Sequence, residues 1–198
     1  MNNHEIKRIF RKTWRFIWEE DSVWSWIVNV ILAFILIKYI VYPALGLILA
    51  TSHPIVAVVS GSMEHDNRFD EWWPQQEGYY LDFGITKQAF DNYRFRNGFN
   101  VGDIMILKGK KAKDIQLGDV IVFNGNRRDP IIHRVIKKWE EEGTYYFQTK
   151  GDNNRESMPN LESRIHEDNV IGHAVVRIPL LGYIKIWFVD LLKLFNIV

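Results

Sequence analysis

A run from Val23 to Ala50 that is almost entirely apolar restricts this chain more than any other feature. About 20 such residues, rising roughly 1.5 Å each in a helix, are enough to span the hydrocarbon of a bilayer. The pattern predicts one transmembrane helix from about Trp24 to Tyr42, with Pro43 kinking or ending it. Lys38 is the single charge inside, near the far end, where its stem can carry the ammonium to the interface. The run exceeds the roughly 7 to 15 apolar residues of a cleaved signal sequence and is read as a retained anchor. Before it, Lys7, Arg8, Arg11, Lys12 and Arg15 mix with Ile6, Phe10, Trp14, Phe16, Ile17 and Trp18, which suits a short interfacial helix. The next basic residue beyond the span is Arg68, so the positive-inside rule puts the N-terminus in the cytoplasm and the rest outside.

Four stretches follow from this division: a basic N-terminus at 1–22, the anchor at 23–50, an exported domain at 51–179, and a membrane-associated helix at 180–198. Within the exported part, Ile55 to Ser60 reads as a strand. Asp66 to Asn100 is polar and aromatic (Trp72, Trp73, Tyr79, Tyr80, Phe90) with one short helix after Thr86; it is either an insertion packed on its own rings or a lid beside an active site. Gly102-Asp103 and Gly118-Asp119 each set a turn before a short apolar strand. Pro130 opens a strand to about Lys138, Thr144 to Thr149 returns as its hairpin partner, and Val170 to Ile178 is a last strand. Short strands separated by turn signals argue for a mainly β domain. In the tail, Lys185, Asp190 and Lys193 fit a helix lying in the interface, a second span being the alternative.

The net charge of +1 gives no reason to expect nucleic acid as a partner, and the lack of cysteine excludes disulfides, thiolate metal sites and cysteine nucleophiles. The chemistry is sought elsewhere. In Val58-Val59-Ser60-Gly61-Ser62-Met63-Glu64, Ser62 stands where a strand ends. A serine hydroxyl needs a base to take its proton, and a neutral imidazole suits that task. His133 in Ile131-Ile132-His133-Arg134-Val135 is the candidate base. Asp152 in Lys150-Gly151-Asp152-Asn153-Asn154 is the candidate carboxylate to orient it. His65 is a lesser base, Glu156 and Asp168 are lesser carboxylates, and His166 and His173 receive no role.

These segments, in this order and directly after the anchor, resemble the type I signal peptidase family in its archaeal and endoplasmic-reticulum branch, where histidine replaces a lysine base. Ile178-Pro179-Leu180-Leu181-Gly182 extends the likeness over most of residues 55 to 183. The resemblance implies a signal-peptidase-like β-domain with an N-terminal transmembrane helix and an aromatic-rich insertion at 66–100. It implies a serine endopeptidase that removes signal peptides from preproteins, preferring small residues at the first and third positions before the cut and requiring no cofactor or metal. Catalysis would rest on Ser62, His133 and Asp152, with Ser60 and the Ser62 N–H as oxyanion donors. Signal peptides, the lipid bilayer and the protein-export translocon are the implied partners. Three departures stand out: His65 where the family has proline, the insertion, and Ser157-Met158 where relatives carry a second aspartate. The insertion and the missing second aspartate leave open a catalytically silent, signal-peptide-binding or scaffold subunit of a membrane complex. The insertion also departs from the compact eukaryotic pattern, and an archaeal cell membrane is the expected location. A serine-lysine self-cleaving repressor would need lysine at position 133 and is set aside, since the neighbouring Arg134 does not deprotonate.

Overall fold

The computed structural model describes residues 2–125, 127 and 129–194, and it divides into two compact units, Met1–Ile48 and Leu49–Val198. The last residues of the tail, 195–198, lie outside the described residues, so the expected tail helix is seen only as far as Leu194.

In the first unit, α1 (Asn3–Trp18) exposes Ile6, Phe10, Trp14 and Trp18, whose spacing puts them along one face. Helix α2 (Val23–Leu36) begins at Ser22, whose hydroxyl accepts the Ser25 N–H at 3.1 Å. The last carbonyls of α1 have no partner within their own helix. Ser25 donates its hydroxyl to Phe16 O, and Asn29 donates its amide to Ile17 O at 2.9 Å. Pro43 does not end the helix as one of the two expectations had it. The helix passes through a π turn at Ile37–Val41 into α3 (Tyr42–Leu49), and Tyr42 N–H bonds Ile37 O. Proline lacks an N–H and its ring crowds the carbonyl one turn back; widening that turn accommodates both. Val23–Leu49, 27 residues, is the one helix among the described residues long and apolar enough to cross a membrane.

The second unit is built on a seven-stranded antiparallel sheet. Its strands are β1 (Ile55–Ala57), β2 (Ile104–Lys108), β3 (Val120–Phe123), β4 (Ile131–Glu141), β5 (Thr144–Lys150), β6 (Ile165–His166) and β7 (Val170–Ile178), in the order β1-β2-β7-β3-β4-β5-β6. Strand β3 is buried at every position: Val120 and Val122 join Met63, Phe99, Met105 and Leu107 in one core, while Ile121 and Phe123 join Ile131, Val135 and Phe147 in another. A strand covered on both faces has no need of alternation. The β4–β5 hairpin turns at Glu142 and Gly143, both at positive φ.

The two Gly-Asp units are structural twins. Gly102 and Gly118 share a φ of 86°, and an added Cβ at either would strike a ring, Tyr183 or Tyr93. Asp103 accepts the Asn100 N–H and Asp119 the Gln116 N–H, each at 2.8 Å. Gly102 N–H bonds Val58 O and Gly118 N–H bonds Val135 O, both at 2.9 Å. In return Val58 and Val135 donate to the carbonyls of Asp103 and Asp119 at 2.8 Å. One turn therefore fixes the segment leading to Ser62, and its copy fixes the strand carrying His133.

The insertion folds as α4 (Phe69–Asp82) and α5 (Lys87–Asp91) around a core of its own: Phe69, Trp72, Trp73, Tyr80, Ile85 and Phe90, with Ile136 from β4. Its neck is closed by Phe99 N–H to Met63 O at 3.0 Å and Val101 N–H to Glu64 Oε1 at 2.9 Å. The last element among the described residues is α6 (Tyr183–Leu194).

Candidate active site

Strand β1 stops at Ala57, short of the expected Ser60. Ser60 remains extended and Gly61–Met63 make one 3-10 turn. That turn leaves the N–H of Ser62 without a carbonyl partner inside the turn itself, and Ser60 Oγ stands 3.3 Å from Ser62 Oγ. Because a strand gives way to a turn, the two hydroxyls meet by curvature rather than by strand parity.

His133 comes from β4, opposite Ile121 of β3, and is buried. Its Nε2 lies 2.8 Å from Ser62 Oγ, and its Nδ1 is hydrogen-bonded to Glu162 Oε1. An ionised carboxylate only accepts, so Glu162 sets the tautomer with the proton on Nδ1 and leaves Nε2 free to accept from Ser62. Glu162 is fully buried and fully engaged: Thr149 Oγ1 donates to Oε1 at 3.1 Å and Met158 N–H to Oε2 at 2.8 Å.

Asp152 does not occupy the place expected of it. Its carboxylate is also fully buried, but it faces the neighbour of the histidine: Arg134 donates Nε to Oδ1 at 2.8 Å and a terminal nitrogen to Oδ2 at 2.6 Å. Tyr80 Oη donates to Oδ1 at 2.9 Å, and His65 Nε2 lies 3.1 Å from Oδ2. Burial works against the charged carboxyl, but Arg134 and then His65 outweigh it and hold the Asp152 acid well below the usual carboxylate range. The remaining Arg134 donors meet the carbonyls of Arg94, Gly118 and Phe95. Glu156 and Asp168 are exposed, the latter beside His166. His173 bonds Lys108 O. His65, considered as a base, is stacked on Trp72 at 3.7 Å with the rings 6° apart, turned toward Asp152.

The loop after β5 holds the serine turn. Asn153 donates its N–H to Ser62 O at 2.8 Å and its amide to Gly61 O at 3.2 Å. Gly151 has to be small: a Cβ there would stand 2.7 Å from Ser62 O and 2.9 Å from His133 Nε2. Lys150 is buried, and its ammonium donates to Gln76 Oε1 at 2.9 Å and to the carbonyls of Gly151 and Asp152 at 3.1 Å. Burial pulls its pKa down to about 8, against the pull of Asp152 and Glu162 in the other direction.

Glu162 is the residue that sequence reasoning missed. It lies ten positions beyond Asp152, whereas a second acid was sought at five or six, where Ser157 and Met158 stand. Met158 bonds Glu162 through its N–H, and Ser157 donates its hydroxyl at 2.6 Å to the carbonyl of Thr149, whose own hydroxyl meets Glu162. Glu162, and neither of those two positions, supplies the carboxylate bonded to His133 Nδ1.

Compared with protein-family models, the sequence matches none. Curated proteins do resemble it. The signal peptidase complex catalytic subunit of Fusarium vanettenii is 27% identical over 154 residues, covering 75% of this chain and 71% of that protein. The subunit of the same name from Schizosaccharomyces pombe is 29% identical over 158 residues, 77% of this chain and 76% of its own. A human signal peptidase complex catalytic subunit is 31% identical over 149 residues, 71% of this chain and 61% of that protein. These relatives come from fungi and a mammal, which lends the expected archaeal membrane no support.

Proposed function

From a chain that is a homologue of the endoplasmic-reticulum branch of the type I signal peptidases, we propose a membrane-anchored serine endopeptidase that removes signal peptides, with Ser62 as nucleophile, His133 as base and Glu162 as the carboxylate behind it. The observation that carries this reading is the continuous line from Ser62 Oγ through His133, 2.8 Å away at Nε2, to Glu162 at Nδ1. In the reaction, Ser62 Oγ attacks the scissile carbonyl as its proton passes to His133 Nε2. Glu162, buried and negative, stabilises the imidazolium this creates. The oxyanion would meet the Ser62 N–H and the Ser60 hydroxyl. Collapse of the tetrahedral intermediate expels the new N-terminus of the mature protein, protonated by His133. Water, activated by the same imidazole, then hydrolyses the ester on Ser62, releasing the signal peptide with a free C-terminal carboxylate and restoring the serine hydroxyl. Substrates of the Ala-x-Ala type follow from the family likeness. The helix Val23–Leu49 would hold this site at the membrane where such peptides emerge, with the N-terminus in the cytoplasm and the β domain on the other side.

The test is cleavage of an Ala-x-Ala preprotein by the detergent-solubilised protein. Ser62→Ala and His133→Ala should each reduce kcat/KM by about 10⁴-fold or more. A wild-type protein that binds the preprotein without cutting it would sink the enzymatic reading in favour of a signal-peptide-binding subunit.

A further inference from the structure

The peptidase reading leaves residues 66–100 without a task. Helix α4 presents Trp72, Gln76, Tyr79 and Tyr80 along one side, at the i, i+4, i+7 and i+8 spacing of a helical face. Tyr79 and Tyr80 bond the segment that follows β5, Gln76 bonds Lys150 at the end of that strand, and Trp72 reaches Asp152 by way of His65. Trp72 stacks on His65, which bonds Asp152. Gln76 accepts from Lys150, whose ammonium also holds the carbonyls of Gly151 and Asp152. Tyr80 donates to Asp152 at 2.9 Å. Tyr79 donates its hydroxyl to Ser157 Oγ and accepts the Ser157 N–H, both at 3.0 Å. The stripe thus grips both ends of one loop. At the near end stands Gly151, packed against Ser62 O and His133 Nε2. At the far end stand Ser157 and Met158, the latter donating its N–H to Glu162.

We propose that the insertion is a positioning element: through Gln76, Tyr79 and Tyr80, α4 fixes the 150–158 loop and so sets the spacing of Ser62, His133 and Glu162. The proposal rests on the peptidase reading above. A lid over bound peptide would turn these side chains toward open solvent. Here Tyr80 is fully buried and Tyr79 and Gln76 are half-buried, each already bonded to the loop. The ring core of the insertion gives α4 the rigidity such a task requires, since a support can position no better than it is itself held.

Tyr79→Phe and Tyr80→Phe in the full-length protein each delete one hydroxyl and keep the ring, so the insertion core stays packed. Four readouts separate positioning from the alternatives: kcat and KM on an Ala-x-Ala preprotein, the acylation rate of Ser62 in single turnover together with its modification by a fluorophosphonate, the downfield proton resonance of His133 Nδ1–H held by Glu162, and the melting temperature. Positioning predicts that kcat and the acylation rate fall together by about tenfold, with KM little changed and the resonance broadened. A raised KM with unchanged kcat would mean that α4 meets substrate, and a lowered melting temperature with unchanged kcat would mean that it only stabilises; either overturns the proposal. If the wild type neither cleaves nor takes up the probe, the peptidase reading fails separately. The resonance still decides the geometry in that case: left sharp in Tyr79→Phe, it overturns positioning.

Discussion

Glu162 and Asp152 are both carboxylates removed from water, and they serve adjacent residues of one strand, His133 and Arg134. Their surroundings differ in one respect. Asp152 meets a permanent cation in a two-pronged pair, with a phenol and an imidazole added. Glu162 accepts from a hydroxyl, a backbone N–H and the imidazole, and among the described residues neither guanidinium nor ammonium donates to it. A carboxylate already neutralised has little left to offer a transient positive charge. One held by neutral donors keeps its field for the imidazolium that the proposed reaction would form. The pairing partner therefore matters more to a buried acid's role than burial does.

That contrast breaks most directly at Glu162 itself. Glu162→Gln should reduce kcat/KM by about 10³-fold or more with a small change in melting temperature, because an amide can stabilise the wrong tautomer; near-normal turnover would return the third position to another acid. Asp152→Asn should do the reverse. It leaves Arg134 buried beside a neutral amide, costing about 3–5 kcal/mol in chemical denaturation, while the folded fraction keeps turnover within about tenfold of wild type. Equal loss of turnover in the two variants would erase the distinction between them.

Gly151→Ala sharpens it, because that residue packs against Ser62 and His133 and neighbours Asp152. The added methyl should lower kcat by about 10²-fold through displacement of Ser62, with KM and the melting temperature less affected. His65→Phe keeps a ring against Trp72 and removes one donor from Asp152, for an expected cost of about 1 kcal/mol in denaturant titration. A further test is a slope with pH. Lys150 has a folded pKa of about 8, below the roughly 10.4 of an unfolded lysine. Between those values the unfolded chain binds more protons, so stability should rise with pH across that window relative to Lys150→Met. A Lys150→Met variant with the same slope as wild type would place that titration elsewhere. Asp152 acts at the other end: its acid is depressed, so its contribution is intact at neutral pH and is lost as pH falls below about 4.

Much of this was legible in the residues. The long apolar helix, the Gly-Asp turns, the β4–β5 hairpin and the final strand follow from apolar runs and turn residues, which are local signals. Ser62 and His133, read from their motifs, do meet in space. Asp152 was misplaced because a Gly-Asp pair marks where a loop turns, and which side chain that loop delivers to the histidine depends on the path of the following ten residues. Glu162 sits in irregular chain between Leu161 and Ile165, with no periodicity to mark it. A search for any acid within the loop, rather than at a fixed offset, would have included it. The proline in the long apolar helix is a similar case: its effect was foreseen as a kink or an end, and the backbone absorbed it by adding one residue to a turn.

The closed neck of the insertion has a consequence of another kind. Met63 and Glu64 bond Phe99 and Val101 directly, so the chain leaves the β domain and returns to it at nearly the same point. What lies between is a detour whose length the sheet does not register, and the entropy of closing such a detour grows only with the logarithm of its length. A lineage could therefore lengthen or shorten this excursion step by step with Ser62 held in place throughout, provided each intermediate found another way to brace the loop beyond β5.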